Sequence, residues 1–445
     1  MNKTDKQDRP VSLPVDEDVL EMTRDAVRLS KFDYKTIFVE EGYTALADAA
    51  YAGTKKADHP FFSKKNKRLV KLKTWRKTSV DILASIPRPL LKAVFDGSLP
   101  HKILSDQVQE ICSLFDTTDE DLHNHHTWSL RQLAKFAPNI YTQFHVDKKG
   151  HAMEQFKIRI VIQKMREYMS EDPEFHDQNA AIDGQTREKN DRDRVERGLH
   201  YYLDGSQDRV EAVLVFCFAL EEYLNKVAPV GSMEEDTPLT CPLVYFGFSV
   251  CFVDRIKQHS NENPNWLGAL FNNICKTLFI DGDGTPKFSF EKWVIAYLAN
   301  YEECQIGEEL FTRAGCGYYY TGQGFNIAPA GIAVTSAKID DHDFTTATRL
   351  WKACLKYRTK NPDFERNLEE EEYLYLPEYK EKAITAHQES IDRRLQKEKR
   401  KERKQRHRDL KEEIETLKKN MIPRERIRQL YQELQDEMKL MQDAA

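Results

Sequence analysis

The stretch TRAGCGYYYTGQGFNIAPAGIAV, residues 312–334, holds five glycines and three consecutive tyrosines. Glycines at fixed gaps let a backbone approach a phosphate, and aromatic faces stack on any base. Two phosphate motifs are excluded by the spacing. No Gly-Lys-Ser/Thr follows, as a P-loop requires, and no G-x-G-x-x-G fingerprint is present. What remains is a platform on which Arg313, Tyr318, Tyr319, Tyr320 and Phe325 stack on nucleic-acid bases. The competing reading is a turn-rich loop whose tyrosines cap an apolar core.

A second candidate lies at 55–77, KKADHPFFSKKNKRLVKLKTWRK, with ten Lys/Arg and one Asp. Lys64, Lys65, Lys67, Arg68, Lys71, Lys73, Arg76 and Lys77 crowd its second half around Trp75. Phosphate neutralisation needs many cations and no special geometry. Such a density points to nucleic acid or another polyanion, against the alternative of a solvated face paired with acids elsewhere. A third basic run, RRLQKEKRKERKQRHR at 393–408, has ten Lys/Arg against two Glu, and 399–404 resembles a nuclear-localisation signal.

Other residue patterns fall short of a reaction. In LFIDGDGTPKFSFEKWV, 278–294, Asp281, Asp283 and Gly284 align with part of a calcium loop. Phe279 occupies its first ligand position and Lys292 that of its bidentate glutamate, so an Asp-Gly turn into a helix at Phe290 is expected. YFGFSVCF, 245–252, is one residue from a nucleophile elbow around Ser249, but Cys251 replaces the second glycine. The His/Asp groups at 121–128 and 339–344 lack helical metal-ligand spacing. No cofactor, metal or catalytic residue is assigned.

These segments are carried by a chain of 445 residues with 40% hydrophobic and 31% charged residues and a net charge of −6. The two basic runs leave the remainder at −23, a segregation that suggests a polyanion partner or contact between copies. The longest apolar run, 212–220, is too short for a membrane span, and the first residues have no apolar signal region. Eight scattered cysteines without a C-x-x-C pair read as free thiols in a reducing, intracellular setting, cytoplasmic or nuclear.

Periodicity predicts a mainly α fold with minor β content. An N-terminal arm, 1–16, leads into a helical lobe, 17–170, that includes helices broken at Pro87 and Pro89 and an amphipathic FKIRIVIQKMREYM. A charged linker, 171–194, is expected before a second helical lobe, 195–360. There RVEAVLVFCFALEEYLNKV and FEKWVIAYLANY read as helices, while 243–253 fits helix or strand. A charged helical tail, 361–445, carries two short apolar seams within 410–441, separated by Pro423, that suit self-association or partner helices. Two helical lobes, a basic groove and exchangeable arms resemble the general layout of viral nucleoproteins, without a shared motif. The expected function is non-enzymatic binding of nucleic acid, RNA or single strands favoured, by a self-assembling structural protein. A protein-binding scaffold is the alternative, and a hydrolase using Ser249 the third reading.

Overall fold

A computed structural model of the chain describes residues 33–57, 71–108, 137–185, 200–249, 255 and 264–332, with isolated helical positions between 354 and 432. The fold is mainly α with one small sheet. The chain divides into two compact units, Met1–Glu372 and Tyr373–Ala445.

The first unit opens with α1 (Tyr34–Lys56), capped by the Asp33 carboxylate on Thr36 N at 3.0 Å and kinked at Gly42, where φ is +88°. Then come α2 (Leu72–Ala84), α3 (Arg88–Phe95) and α4 (Leu99–Leu104). Pro87 is the cap of α3 and Pro89 lies in its first turn, where a missing N–H costs no helical bond. After β1 (Asn139–Asp147) follow α5 (Gln155–Met169), α6 (His176–Asp183) and α7 (Gln207–Val227). β2 (Val244–Ser249), α8 (Trp266–Leu278), β3 (Phe288–Tyr297) and α9 (Tyr301–Ala314) complete the order.

The sheet runs β2-β1-β3, both pairs antiparallel, with a bulge at Ile140/Tyr141. Because strand side chains alternate, β1 sends Ile140, Phe144 and Val146 to one side and Tyr141 to the other. The first side meets α1–α4 and α9 in a core around Phe38, Trp75, Phe95 and Phe311. On the second side α5, α7 and α8 pack a core around Phe216, Phe271, Phe290 and Phe325. α5 shows why: Ile158, Val161, Ile162 and Met165 recur at helical spacing, and all are buried.

This arrangement differs from the expected one in three places. The stretch 171–194 does not divide two lobes, because the central strand comes from before it and both flanking strands from after it. Within it, Pro173–Phe175 and α6 are helical, Ile182 is buried, and Asp183 accepts the Tyr168 hydroxyl at 2.6 Å. The expected helix at FEKWVIAYLANY is β3, so the Asp-Gly turn leads into a strand. Phe288 and Phe290 fill one core while Trp293 and Ile295 fill the other. A continuous apolar run fits either element, and pairing with β1 decides it. The ambiguous 243–253 contributes the strand β2.

In the second unit, the described positions Lys399, Gln405, Arg406, Arg408, Asp409, Glu412, Gln429 and Gln432 are helical and exposed. The seam residues of 410–441, the arm at 1–16 and the His/Asp groups at 121–128 and 339–344 lie outside the described residues.

Candidate nucleic-acid interface

The glycine-tyrosine loop faces the interior. β2 is an edge strand, and residues 323–326 pair with its open side. Val244 N donates to Gln323 O and Phe325 N to Val244 O, both at 2.9 Å. The Asn326 side chain continues the pairing, accepting from Phe246 N at 3.0 Å and donating to Phe246 O at 2.7 Å. An amide side chain thus stands in for a further strand. The glycines serve close approach: a Cβ at Gly324 would collide with the Gly317 carbonyl, and one at Gly322, where φ is +75°, with the Ala219 carbonyl of α7.

The aromatic and basic residues of the loop form a buried polar cluster with α9. Glu309, wholly inside, accepts from Arg313 Nη2 at 2.9 Å, from Thr54 Oγ1 at 2.8 Å and from the Tyr318 hydroxyl. Arg313 lies over the Tyr318 ring, 4.5 Å from its centroid, and donates to the Tyr320 hydroxyl at 2.7 Å. Burial opposes the Arg313 charge, but Glu309, together with Tyr320 and Tyr318, holds the guanidinium above its ordinary value. Burial likewise pushes the Tyr318 hydroxyl well up. The stacking platform is therefore corrected. Phe325, Tyr318 and Arg313 are buried, and Tyr319 and Tyr320 are half-buried, with Tyr318 and Tyr320 stacked on each other at 5.1 Å.

The basic segment divides more evenly. Lys64, Lys65, Lys67 and Arg68 lie outside the described residues. Trp75 is fully buried, donates its indole N–H to Ala47 O at 2.7 Å and meets Tyr51 edge-on, so it offers no stacking face. Arg76 grips Asp48 with two bonds of 2.8 and 2.6 Å, and Lys77 pairs with Asp81 at 3.0 Å. Lys71 and Lys73 are exposed, with no carboxylate partner among the described residues. The same holds for Lys55 and Lys56, in the last turn of α1. The Tyr51–Trp75 and Asp48–Arg76 contacts set the end of α1 against the start of α2, so these four lysines crown one end of the helix pair.

Among the described residues neither of the other chemical candidates has the partners that its chemistry requires. Ser249 is buried at the end of β2, opposite Asn139. At the calcium-like loop the Lys148 ammonium lies 3.0 Å from Asp281, 3.3 Å from Asp283 and 2.8 Å from Thr285 Oγ1. Among the described residues no group of three or more His, Cys, Asp or Glu is arranged to hold a metal ion, and no helix is long and apolar enough to cross a membrane. Sequence reasoning missed Lys55 and Lys56 as members of the exposed set, although both stand inside the basic run. Comparison with protein-family models, with curated proteins and with solved structures finds no match.

Proposed function

We propose that this chain is a non-enzymatic, self-assembling protein that binds nucleic acid, single-stranded RNA foremost, through lysines and arginines rather than aromatic stacking. One observation carries the reading. Lys71 is the residue preceding α2 and Lys73 lies in its first turn, yet the amino end of a helix is already positive. Among the described residues neither has an acid to balance it, α2 has no acidic residue in its first turn, and Lys55 and Lys56 add to the same end. Charges placed against the local field suit an anion supplied from outside the chain. The exposed helical Lys399, Arg406 and Arg408 supply a second basic element in the tail.

The test is fluorescence anisotropy with a labelled single-stranded RNA, comparing the native chain with Lys71→Glu/Lys73→Glu. Binding at low salt and a loss of affinity of about tenfold or more in the variant are expected. Equal affinity of the two proteins contradicts the assignment to this site. The scaffold reading has its own support in Arg76 and Lys77, whose charges are met by Asp48 and Asp81. It requires that no RNA be retained at any salt concentration.

A further inference from the structure

Large apolar side chains that stay in water are few among the described residues, and most of them fall in two neighbouring segments. Val227 ends α7 and Val230 and Met233 follow it, while Leu278 ends α8 and Ile280 follows it. Val230 is 69% and Met233 93% exposed. The start of α5 brings the segments together: Glu154 bridges to Pro238 on one side and binds Lys287 at 3.2 Å on the other, while Gln155 donates to Glu234 O.

The first segment is a rigid knuckle. Ser232 N closes a turn on Pro229 O, with Gly231 at φ +82°. Arg159 pins it from below, donating to Asn225 Oδ1 at 3.0 Å and Ala228 O at 2.9 Å and pairing with Glu235 at 3.1 Å. Glu235 in turn accepts from Gly231 N at 2.9 Å. An apolar tip held in place has little conformational freedom left to lose on docking. Beside Met233 stand Glu234 and Asp236, both exposed. The patch is apolar with an acidic rim.

A counterpart of opposite charge exists on the same chain. Leu72 is 39% exposed at the start of α2, between Lys71 and Lys73. The two features belong to opposite layers. α2 packs on the α1–α4 side of the sheet, and the knuckle follows α7 on the other side. We propose that the knuckle around Met233 docks on the Leu72 end of α2 in a second copy of this chain, apolar against apolar with Glu234 and Asp236 facing Lys71 and Lys73. Since the two surfaces differ and belong to opposite sides of the sheet, each added copy leaves its own knuckle open, and the contact extends head to tail rather than closing as a symmetric pair.

Sedimentation velocity of the full chain without nucleic acid tests this. The average mass should rise with concentration past that of a dimer, and the association should weaken as salt increases. Met233→Asp, at a position almost wholly in water, should raise the concentration needed for association by about tenfold or more. Glu234→Lys/Asp236→Lys and Lys71→Glu/Lys73→Glu should each weaken it, and an equimolar mixture of these two variants should recover mixed assemblies. A monomer at every concentration overturns the proposal, as does a species that stops at a dimer. Association indifferent to Met233→Asp also overturns it and points to the tail instead. Glu234 and Asp236 take no part in the proposed RNA contact, so RNA affinity that survives their reversal separates failure of this contact from failure of the RNA reading.

Discussion

At the scale of single residues, the decisive group is Glu309. It is the common acceptor for Arg313, Tyr318 and Thr54, and removing it leaves a guanidinium inside the protein without its counter-charge. Glu309→Ala should destabilise the chain by about 3–5 kcal/mol in urea unfolding. A change under about 1 kcal/mol would show that the cluster does not hold the loop. His145 makes a second case. It sits among Phe271, Phe288 and Phe290 with Nε2 3.2 Å from Asn272 Oδ1. Burial pushes its pKa down to about 4, against the bond to Asn272. In the unfolded chain the same ring takes a proton near 6.5. Its contribution to stability is therefore complete above about pH 6.5 and is lost progressively as pH falls to about 4, in total roughly 3 kcal/mol. Burial raises Glu308 to about 7 and Asp183 to about 6, and these carboxyls act in the opposite sense on acidification. A whole-protein stability curve mixes the three, so the check is a site-resolved NMR titration. The His145 ring should stay neutral through pH 5, and titration near 6.5 would contradict its placement. Little of this was legible beforehand. An arginine among tyrosines has the same composition whether it stacks on bases or closes a buried ion pair, and the glutamate that decides between them comes from the helix before the loop.

At the scale of elements, the sheet explains the glycines. A short edge strand needs a partner, and 323–326 provides it with two backbone bonds and one asparagine. Asn326→Ala leaves the backbone groups of Phe246 without those bonds inside the core, and Gly324→Ala drives a methyl into the Gly317 carbonyl. Each should destabilise by about 1–3 kcal/mol or more. Hydrogen exchange offers the readout, with faster exchange at the β2 amides in both variants. Unchanged protection would mean that the loop does not close the edge. Helices whose apolar residues recur at 3.6 were legible, α5 and α7 most clearly, and so was the break at Pro87. The strands were not. β1 alternates Tyr, Gln and His against Ile, Phe and Val, and all of them are buried because both sides of the sheet are covered. Its polar residues lie inside, so the usual contrast between a wet and a dry face is missing. β3 reads as a helix in the sequence, because its unbroken apolar run at 293–298 has no periodicity that separates helix from strand.

At the scale of the molecule, charge segregation was legible and its meaning was only half so. Composition reveals that cations gather at 55–77 and 393–408. It does not reveal which of them the folded chain neutralises, since Asp48 reaches Arg76 only once α1 and α2 have packed, and Lys77 meets Asp81 one turn further along only once α2 has formed. Among the described residues what is left over is a smaller set at one end of the helix pair, and the helical tail adds exposed cations. The salt dependence of RNA affinity weighs the account most directly, because it counts the neutralised phosphates. If Lys55, Lys56, Lys71 and Lys73 each meet one phosphate of a single strand, their joint reversal to glutamate should lower the slope of log K against log salt by about 3. A slope that stays the same in the fourfold variant, or native protein that fails to hold RNA even at low salt, would contradict it.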